Sequence, residues 1–438
     1  MLHQNAELFL DKIQNNSIVV GVLGLGYVGL PLAVTFARNG VKVLGFEKSS
    51  AKAESINRGE NYIADVADSD LAAVTNETQM LEATADFSRL KEVDVALICV
   101  PTPLDKFKKP DMSYIEAACE DLATYMTSNM VISLESTTYP TTTEEFILPI
   151  LQKNGLVHGQ DFWLCYSPER IDPGNKSYKT HNTPKVIGAI GEDARVLGIA
   201  LYELAIDTLY PVSSPRVAEM VKILENTYRF INISLINELT LLAGKMDIDI
   251  WEVIEAAKTK PYGFQAFYPG PGIGGHCIPL DPFYLEYIAK QYNFDLTMIN
   301  TAGRIDTIMP HRVVVKISFS LNKQKKAIKG SSILFLGVAY KPDINDERES
   351  PALKIMDEIA HKGGVVSYHD PFIPEVVIHD GHRYESVPFD DQVISDADCV
   401  VITTNHSNID FEKVAEKAKL VVDLRNAIKE NHDNVFKL

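Results

Sequence analysis

The stretch at residues 18–47, IVVGVLGLGYVGLPLAVTFARNGVKVLGFE, decides the fold. Its apolar run at 18–23 predicts a buried strand, and residues 24–29 form a GxGxxG turn. A helix is predicted at 30–39 and a second strand at 42–46, directly followed by Glu47. Strand, glycine-rich turn, helix, strand and acid in this order are typical of a Rossmann domain.

The same stretch predicts a cofactor. The glycines permit a tight turn and let backbone amides approach a pyrophosphate at a helix N-terminus. Glu47 stands 18 residues after Gly29, close to the spacing of about 20 for an acid that accepts a ribose 2′-hydroxyl. A carboxylate repels a 2′-phosphate, so NAD is favoured over NADP, although a glycine-rich turn alone also occurs in proteins that bind nothing. The predicted cofactor residues here are Gly24, Gly26, Tyr27, Val28, Gly29 and Glu47.

Composition excludes several classes of partner. The 438 residues suggest roughly two to four domains, and the net charge of -17 argues against binding to nucleic acid or an anionic membrane. No apolar run approaches the roughly 18 residues of a membrane span, and residues 1–16 lack the apolar core of a signal peptide. The five cysteines are widely spaced and form no CxxC motif, so they indicate neither a disulfide framework nor a metal site. Reduced thiols fit a cytoplasmic location.

Polar residues follow the next strands of this first unit. A strand at 93–100 ends in Pro101 and Thr102, a strand at 130–134 leads to Thr137, and a strand at 162–166 leads to Glu169 and Arg170. Open α/β sheets bind ligands at such carboxyl ends, so Thr137 is expected to face cofactor or substrate. Two alternatives stay open: the threonines at 141–143 could simply cap a helix, and Glu169 could form a surface ion pair with Arg170.

A long helix is predicted after Ser214 and Pro215. Apolar residues recur at spacings of three and four from 217 to 242, which indicates about 30 helical residues. We expect this helix to link two domains and to pair with a second subunit. Lys222 and Asn226 share one face of it, although a solvated face is the usual position of a lone lysine.

Residues 267–285, FYPGPGIGGHCIPLDPFYL, predict an irregular loop because they contain four glycines and four prolines. The loop holds His276, Cys277 and Asp281, with Gly274 just before them. Cys277 is a candidate nucleophile, and the alternative is a small buried hydrophobic residue.

A second α/β unit begins with a predicted strand at 332–337, followed by strands at 365–368, 399–403 and 420–422. It lacks GxGxxG and so is expected to hold a different ligand. Lys341, Arg348 and Arg425 lie at or after strand ends, where they could bind anionic groups.

Taken together, six motifs resemble the UDP-glucose/GDP-mannose dehydrogenase family. They are GLGYVGLPLA at 24–33, ESTTYP at 135–140, YSPERIDPGN at 166–175, AEMVKILENTYR at 218–229, PGPGIGGHCIPLDPFYL at 269–285 and GVAYKPDINDERESPA at 337–352. They cover nearly the whole chain in the order of the family. The resemblance implies that two NAD⁺ oxidise the C6 alcohol of a nucleotide sugar to a carboxylate.

The resemblance also assigns roles to residues. Cys277 matches the thiol that captures the C6 aldehyde, and Lys222, Asn226 and Asp281 match the catalytic groups around that thiol. Glu169 matches a catalytic carboxylate, and Thr137 a threonine near water or cofactor. Arg348 matches a contact to the NAD pyrophosphate, Lys341 a substrate contact and Arg425 a nucleotide contact. The predicted substrate-binding residues are Glu169, Arg170, Lys222, Asn226, Phe267, Tyr268, Gly274, Lys341 and Arg425, and the loop at 264–275 is expected to hold the uridine.

Three positions bear on the branch within the family. Members that oxidise UDP-glucose usually carry Lys where this chain has Leu280, and they usually lack the residue His276. The chain looks most like the branch that oxidises UDP-N-acetylhexosamines, and within it like the UDP-N-acetylglucosamine 6-dehydrogenases of bacterial polysaccharide synthesis, including O-antigen and capsule. Thr141 departs from the glycine that is usual in that branch, which puts the local geometry near the cofactor in doubt.

We therefore predict an α/β protein with two Rossmann-like doubly wound domains joined by a long central helix and a small helical domain. The expected domains are 1–212 for NAD, 213–322 for dimerisation and the cysteine loop, and 323–438 for the UDP-sugar. The best substrate is UDP-N-acetylglucosamine, with the UDP forms of N-acetylmannosamine, N-acetylgalactosamine and glucose as alternatives. A one-step hydroxyacid dehydrogenase of the 6-phosphogluconate type and a non-catalytic UDP-sugar sensor are the other hypotheses.

Overall fold

The chain divides into two units in a computed structural model, which describes residues 2–63, 65–105, 107–172, 174–175, 177–378 and 381–438. Unit 1 comprises Met1–Glu225 and Phe283–Phe294, and unit 2 comprises Asn226–Pro282 and Asp295–Leu438. Pro173, inside the motif at 166–175, lies outside the described residues.

Unit 1 is built on a sheet of eight strands among its described residues, in the order β3-β2-β1-β4-β5-β6-β7-β8. The strands pair in parallel except where β7 runs antiparallel to β6, and β1 pairs with both β2 and β4. Their bounds are β1 Val19–Leu23, β2 Lys42–Phe46, β3 Leu81–Thr84, β4 Val95–Ile98, β5 Met130–Leu134, β6 Phe162–Tyr166, β7 Lys185–Ala189 and β8 Leu209–Pro211.

Helices cover both faces of this sheet, so its central strands are buried throughout, as parallel sheets require. One face packs a cluster around Phe36 and Trp163, and the other packs a cluster around Phe46 and Leu134. The helices are α1 Gln4–Gln14, α2 Gly29–Arg38, α3 Ser50–Asn57, α4 Asp68–Ala72, α5 Ser113–Tyr125, α6 Leu148–Leu151 and α7 Glu192–Glu203. Segments Ala73–Glu77 and Thr142–Ile147 are π-helical, and Phe87–Glu92 and Gln152–Asn154 are 3₁₀-helical.

The long helix α8, Pro215–Ala243, has 29 residues. Ser214 caps it, because its Oγ accepts the N–H of Val217 at 3.4 Å. The chain boundary between the two units falls inside this helix, after Glu225. Six positions of its predicted apolar face are exposed, namely Val217, Leu224, Tyr228, Leu235, Leu239 and Leu242.

Three further helices come next along the chain: α9 Ile250–Lys258, α10 Asp281–Ala289 and α11 Thr297–Lys323, with a 3₁₀ turn at Lys290–Tyr292. Pro310 lies inside α11. Together with the second half of α8, α9 and α11 form the helical part of unit 2, in which Ser234 Oγ donates to the carbonyl of Ala302 at 3.2 Å.

The rest of unit 2 is a second Rossmann-like sheet in the order β10-β9-β13-β14-β15, all parallel, among the residues described. Ser350 caps α12, since its Oγ accepts the N–H of Ala352 at 3.3 Å. The elements are β9 Ser332–Leu336, α12 Pro351–His361, β10 Val365–His369, the antiparallel pair β11 Glu375–Val377 and β12 Arg383–Glu385, α13 Asp391–Asp396, β13 Cys399–Ile402, α14 Phe411–Lys417, β14 Val421–Asp423 and β15 Val435–Lys437.

The predicted fold class, with two Rossmann-like domains, a long helix and a helical section, is confirmed. The sequence patterns missed several elements, including α1, α3, α7, β3 and β15. Among the residues described, no helix has both the length and the apolar character needed to cross a bilayer. The five cysteines, all of them described, take part in no disulfide.

Candidate active site

The turn between β1 and α2 gives each of its three glycines a different environment. Gly24 has φ of 92°, and a Cβ there would lie 2.8 Å from the carbonyl oxygen of Cys99. A Cβ on Gly29 would overlap the carbonyl oxygen of Gly24, so strand and helix pack there without room for a side chain. A Cβ on Gly26 would meet nothing within 4 Å. These are the three roles of a dinucleotide turn, with open space at the middle glycine for a pyrophosphate, and the turn fits the cofactor.

Glu47 lies beside this turn, as predicted. Its carboxylate accepts the N–H of Leu25 at 3.4 Å and that of Ser49 at 3.1 Å. The hydroxyl of Tyr62 donates to the carbonyl of Leu25 at 2.6 Å, and burial together with the charge of Glu47 raises the pKa of Tyr62. The backbone at Leu25 is thus held by Glu47 on one side and by Tyr62 on the other.

The other predicted cofactor residues of unit 1 surround the ends of β1, β4 and β5. Tyr27 and Pro101 are exposed, and Val28 is half-buried at the start of α2. Thr102 is buried, and its Oγ1 donates to the carbonyl of Thr137 at 2.8 Å. The structure therefore brings the segments after β4 and β5 together at one edge of the sheet.

Thr141 has φ of 90°, a left-handed conformation that a β-branched residue rarely adopts. The buried carboxylate of Glu219, on α8, accepts the N–H of Thr141 at 2.7 Å and the N–H of Thr143 at 2.9 Å. It also accepts the Thr143 hydroxyl at 2.7 Å. Burial raises the pKa of Glu219 to about 7, against these hydrogen bonds. Thr141 stands at the N-cap position of the segment Thr142–Ile147, as the capping alternative supposed, but its side chain makes no capping hydrogen bond.

Helix α8 also holds the loop that follows β6. Lys222 is buried, and its Nζ donates to the carbonyl of Glu169 at 2.5 Å. Arg170 binds both carboxylate oxygens of Glu225, at 2.5 and 3.3 Å. The Glu169 carboxylate itself accepts the N–H groups of Arg170 and Ile171 at 2.6 and 2.7 Å. The solvated-face alternative for Lys222 and the ion-pair alternative for Glu169 are therefore both wrong.

A buried ion pair braces the same loop from the sheet side. The Nζ of Lys185 lies 2.5 Å from a carboxylate oxygen of Glu135, and it also reaches the carbonyl of Ser167 at 3.3 Å. Tyr202 donates its hydroxyl to Glu135. Burial raises the pKa of Glu135, and the charge of Lys185 opposes that shift. The carbonyl two residues before Glu169 is thereby fixed to the core of unit 1.

In unit 2, three predicted catalytic residues come together. Asp281 is buried and begins α10, and its carboxylate accepts the side-chain amide of Asn226 at 2.5 Å. The N–H of Asp281 donates to the carbonyl of Cys277 at 2.9 Å, and that of Leu280 donates to the same carbonyl at 3.2 Å. Cys277 is exposed, so the alternative of a buried hydrophobic residue is wrong.

The other cysteines are poor candidates for a nucleophile. All four are buried. Burial raises the pKa of Cys99 and Cys119, and it raises the pKa of Cys165 to about 12. Since the thiolate is the reactive form, Cys277 is the accessible candidate among the five.

The glycines before Cys277 let the loop lie directly on the C-terminal sheet domain. A Cβ on Gly274 would come within 2.5 Å of the Tyr340 Cβ and 3.1 Å of the Pro351 ring. Gly275 has φ of 84°, and its N–H donates to the carbonyl of Arg348 at 3.0 Å. A side chain at either glycine would push the cysteine loop away from this support.

Arg348 was expected to reach a pyrophosphate, and its side chain is bonded within its own loop. The guanidinium pairs with Asp346 in a two-pronged contact, at 2.6 Å from Nη2 and 2.9 Å from Nε. Burial lowers the pKa of His276, and the charge of Arg348 lowers it further. Both effects favour the neutral imidazole of His276.

The predicted substrate residues of unit 2 lie in two places. Tyr268 stacks on Trp251 with ring centres 6.0 Å apart and donates to Glu255 at 2.8 Å, and the ring of Phe267 meets the edge of Tyr228. These contacts fix the aromatic half of the loop against α9 and α8.

Arg425 lies beside the same loop. Its Nε donates to the carbonyl of Thr403 at 2.8 Å, and a Cβ on Gly270 would lie 2.5 Å from its Nη1. Burial lowers the pKa of Arg425 to about 10. Lys341 is half-buried in the loop after β9.

Several residues that position this site were not predicted. Glu219, Glu225, Glu135 and Lys185 hold the loops of unit 1, and Asp346 holds Arg348. For Glu219 a signal existed, because it lies three residues before Lys222 and so shares its helix face. The partners of Glu135 and Arg348 carry no such spacing signal.

Comparison with known proteins gives a consistent answer. The NAD-binding, central and UDP-binding domains of the UDP-glucose/GDP-mannose dehydrogenase family match residues 18–206, 216–307 and 334–430. The chain is 34% identical over 94% of its length to a UDP-N-acetyl-D-mannosamine dehydrogenase of Pyrococcus horikoshii, covering 96% of that protein. It is 30% identical to a UDP-N-acetyl-D-glucosamine 6-dehydrogenase of Salmonella typhi, covering 95% of each.

Among solved structures, a UDP-D-ManNAc dehydrogenase from Pyrococcus horikoshii superposes with a TM-score of 0.88 at 33% identity. The superposition covers 96% of this chain and 98% of that one. The similarity thus extends over the fold as a whole and includes all three matched domains.

Proposed function

Because this chain belongs to the UDP-glucose/GDP-mannose dehydrogenase family and is an NAD-dependent UDP-sugar 6-dehydrogenase, we propose that its substrate is a UDP-N-acetylhexosamine. UDP-N-acetylglucosamine is our first candidate, on the pattern of His276 and Leu280. UDP-N-acetylmannosamine is the second, supported by the name of the relative at 34% identity. The observation that carries the mechanism is the buried Asp281–Asn226 pair one helical turn from the exposed Cys277.

Cys277 captures the aldehyde that the first oxidation produces. Its sulfur forms a bond to C6 and the aldehyde oxygen takes a proton, which gives a thiohemiacetal. Loss of a hydride from C6 and a proton from oxygen gives a thioester, and water then cleaves the C–S bond to release the carboxylate and the thiol. The full change converts the alcohol, water and two NAD⁺ into the carboxylate, two NADH and three protons. NAD, when bound, supplies the hydride acceptor for both oxidations.

The groups around the thiol handle charge and protons. Asn226 is held in one orientation by Asp281, and with Lys222 it would stabilise oxygen atoms that gain negative charge at C6. Asp281 would accept or orient the proton of the attacking water. Glu169 and Thr137, each at the carboxyl end of a strand, complete the proposed catalytic set.

Cofactor and substrate would be held at separate places. Gly24, Gly26 and Gly29 offer the pyrophosphate an unobstructed turn, and Glu47 offers the ribose a carboxylate. The other proposed cofactor contacts are Tyr27, Val28, Pro101, Thr102 and Arg348. The guanidinium of Arg348 would have to leave Asp346 to bind the cofactor. Arg170, Phe267, Tyr268, Gly274, Lys341 and Arg425 remain proposed substrate contacts.

A side-by-side assay tests the sugar and the chemistry. UDP-N-acetylglucosamine, UDP-N-acetylmannosamine, UDP-N-acetylgalactosamine and UDP-glucose are each incubated with NAD, and both NADH and acid are quantified. We expect two NADH per sugar and the highest kcat/KM with UDP-N-acetylglucosamine. One NADH per sugar would favour a one-step dehydrogenase, and binding without turnover would favour a sensor.

Glu47 is expected to set the choice of cofactor. Glu47→Gln keeps a hydrogen-bond acceptor beside Leu25 and removes the charge that repels a 2′-phosphate. We expect the ratio of kcat/KM for NAD over NADP to fall roughly tenfold to a hundredfold, mainly through KM for NADP. Glu54→Gln, an exposed change on α3, is the control that leaves the ratio unaltered. Equal use of NAD and NADP by the parent enzyme would contradict this assignment.

We also propose that the protein forms a homodimer through α8 and that it acts in the cytoplasm. The proposed domains are 1–212, 213–322 and 323–438. The six exposed apolar residues of α8 support the dimer. Beside them, a cavity of about 240 Å³ between α8 and α11 is lined by apolar residues such as Leu235 and Met298 and by polar ones such as Glu238. A contiguous apolar surface of this kind marks an interface. Sedimentation at micromolar concentration measures the mass, and a monomer would contradict it. Participation in capsule or O-antigen synthesis belongs to the same proposal.

A further inference from the structure

The turn after β5 is held in a conformation that its own sequence disfavours. Thr141 is β-branched and has φ of 90°, where a Cβ crowds the backbone. The segment that follows, Thr142–Ile147, starts as a π-helix. Such a conformation persists only where surrounding contacts impose it.

Three of the hydrogen bonds that hold this turn come from one buried side chain of a different element. Glu219 is fully buried, and its carboxylate receives three hydrogen bonds of 2.7 to 2.9 Å. Two of the donors are the N–H groups of Thr141 and Thr143, which would otherwise be unsatisfied at a helix start. The third donor is the Thr143 hydroxyl. A carboxylate supplied from another helix therefore takes the place of a local cap.

The same helix turn carries a proposed catalytic residue. Glu219 and Lys222 are three residues apart on α8, so their backbones are about 4.5 Å apart along the helix axis. Lys222 donates to the carbonyl of Glu169, after β6. Glu219 holds the segment after β5, in which Thr137 lies four residues before the strained position. One rigid helix thus fixes two ligand-edge loops relative to each other.

We propose that Glu219 is a positioning residue of the dehydrogenase reaction, which holds the strained turn at Thr141 and thereby keeps Thr137 in register with Lys222. The proposal rests on the proposed function for its kinetic consequence. The clamp itself is a property of the free protein. A purely structural role would change stability and leave turnover per folded molecule unaltered.

The variants Glu219→Gln, Thr141→Gly and the double variant test this. Glutamine presents an NH₂ group to N–H donors and cannot accept all three hydrogen bonds. We expect Glu219→Gln to lower kcat at least about tenfold, since small misplacements at a catalytic centre are costly. In the same variant the amides of Thr141 and Thr143 should exchange hydrogen at least about tenfold faster.

Thr141→Gly removes the strain that the clamp opposes. In the Thr141→Gly background, Glu219→Gln should lower kcat no more than about threefold. The difference from its effect in the parent protein measures the coupling between the two sites. This comparison also serves if the single Glu219→Gln variant does not fold. Glu203→Gln is the control, because Glu203 is an exposed carboxylate at the end of α7. We expect this variant to keep the kcat and the amide hydrogen-exchange rates of the parent protein.

Three results would overturn the proposal. One is parental kcat in Glu219→Gln despite faster exchange at residues 141 and 143. Another is that Glu219→Gln lowers kcat by the same factor in the parent protein and in the Thr141→Gly variant. The third is a double variant that fails to fold. Failure of the proposed function is distinct, because it appears as a parent protein that turns over no UDP-sugar while the exchange comparison still reports on the clamp.

Discussion

Cys277→Ala is expected to abolish formation of the sugar acid, with a loss of roughly a thousandfold or more in its rate. The thiol is the group that holds C6 during the second oxidation, and no other cysteine of the chain is accessible. The first oxidation, from alcohol to aldehyde, does not need sulfur. The variant should therefore release at most about one NADH per enzyme molecule, with the aldehyde retained.

A matched substitution separates chemistry from folding. Cys119→Ala changes a buried thiol of α5 whose role is packing, and we expect its kcat to stay within about threefold of the parent. NAD binding measured by calorimetry should be equal in the parent and in Cys277→Ala, which shows that the variant is folded. Acid formation at the parental rate with two NADH per sugar would show that the thioester mechanism is wrong.

Much of the architecture was predictable because it depends on local signals. Strand β1 is a short apolar run followed by Gly24, and β2 is a short, mainly apolar run followed by Glu47. The apolar residues of α8 recur at spacings of three and four, and α12 has a serine cap followed by proline. These patterns are set by residues close together in the chain. The cysteine loop was predictable for the same reason, since its glycines and prolines disfavour helix and strand. It is irregular over residues 267–280, but the prediction was wrong for 281–285, where α10 begins at Asp281.

What the patterns missed depends on distant partners. The contacts of Glu219 with Thr141 and of Glu135 with Lys185 join residues 78 and 50 positions apart, and a charged residue bonded in the core looks the same in sequence as one in water. Short elements were missed for another reason: β15 has three residues, too few to show a period. Helix α7 did carry a local signal, since its buried residues Ala194, Leu197 and Leu201 recur at spacings of three and four.

The guanidinium of Arg348 has a local partner that its place in the sequence does not reveal. Its position follows the family, but its guanidinium is already paired with Asp346 through two hydrogen bonds. Binding a pyrophosphate would exchange one anionic partner for another, so the net gain is smaller than for an arginine in water. By contrast, the turn at residues 24–29 can receive a pyrophosphate without breaking an existing contact. The largest expected effect on NAD binding therefore comes from a substitution in that turn.

Gly26→Ala is expected to weaken NAD binding roughly tenfold to a hundredfold while leaving the fold intact. A Cβ at this position meets no protein atom within 4 Å, and the residue has no left-handed φ. Replacing glycine by alanine at such a site usually stabilises a protein slightly, because the unfolded chain loses freedom. The added methyl group would instead occupy the space where the backbone approaches the pyrophosphate, which costs on the order of 1–3 kcal/mol for an overpacked contact.

Two other glycines make the comparison decisive. At Gly29 a Cβ would overlap the carbonyl oxygen of Gly24, so Gly29→Ala should lower both the melting temperature and NAD affinity. At Gly244, just after α8, the nearest atom to a Cβ is the Thr240 carbonyl oxygen at 3.5 Å, so Gly244→Ala should change neither. Isothermal titration with NAD and thermal unfolding without it give the two readouts for all three variants.

The opposite direction of the two readouts is what makes Gly26 informative. Most substitutions that weaken a ligand also weaken the fold, and a loss of affinity then says little about contact. An unchanged or higher melting temperature without NAD, together with weak NAD binding, can arise only if the methyl group interferes with the ligand and not with the protein. Parental NAD affinity in Gly26→Ala would mean that the pyrophosphate does not pass over this glycine, and the cofactor would then have to be assigned to a different edge of the turn.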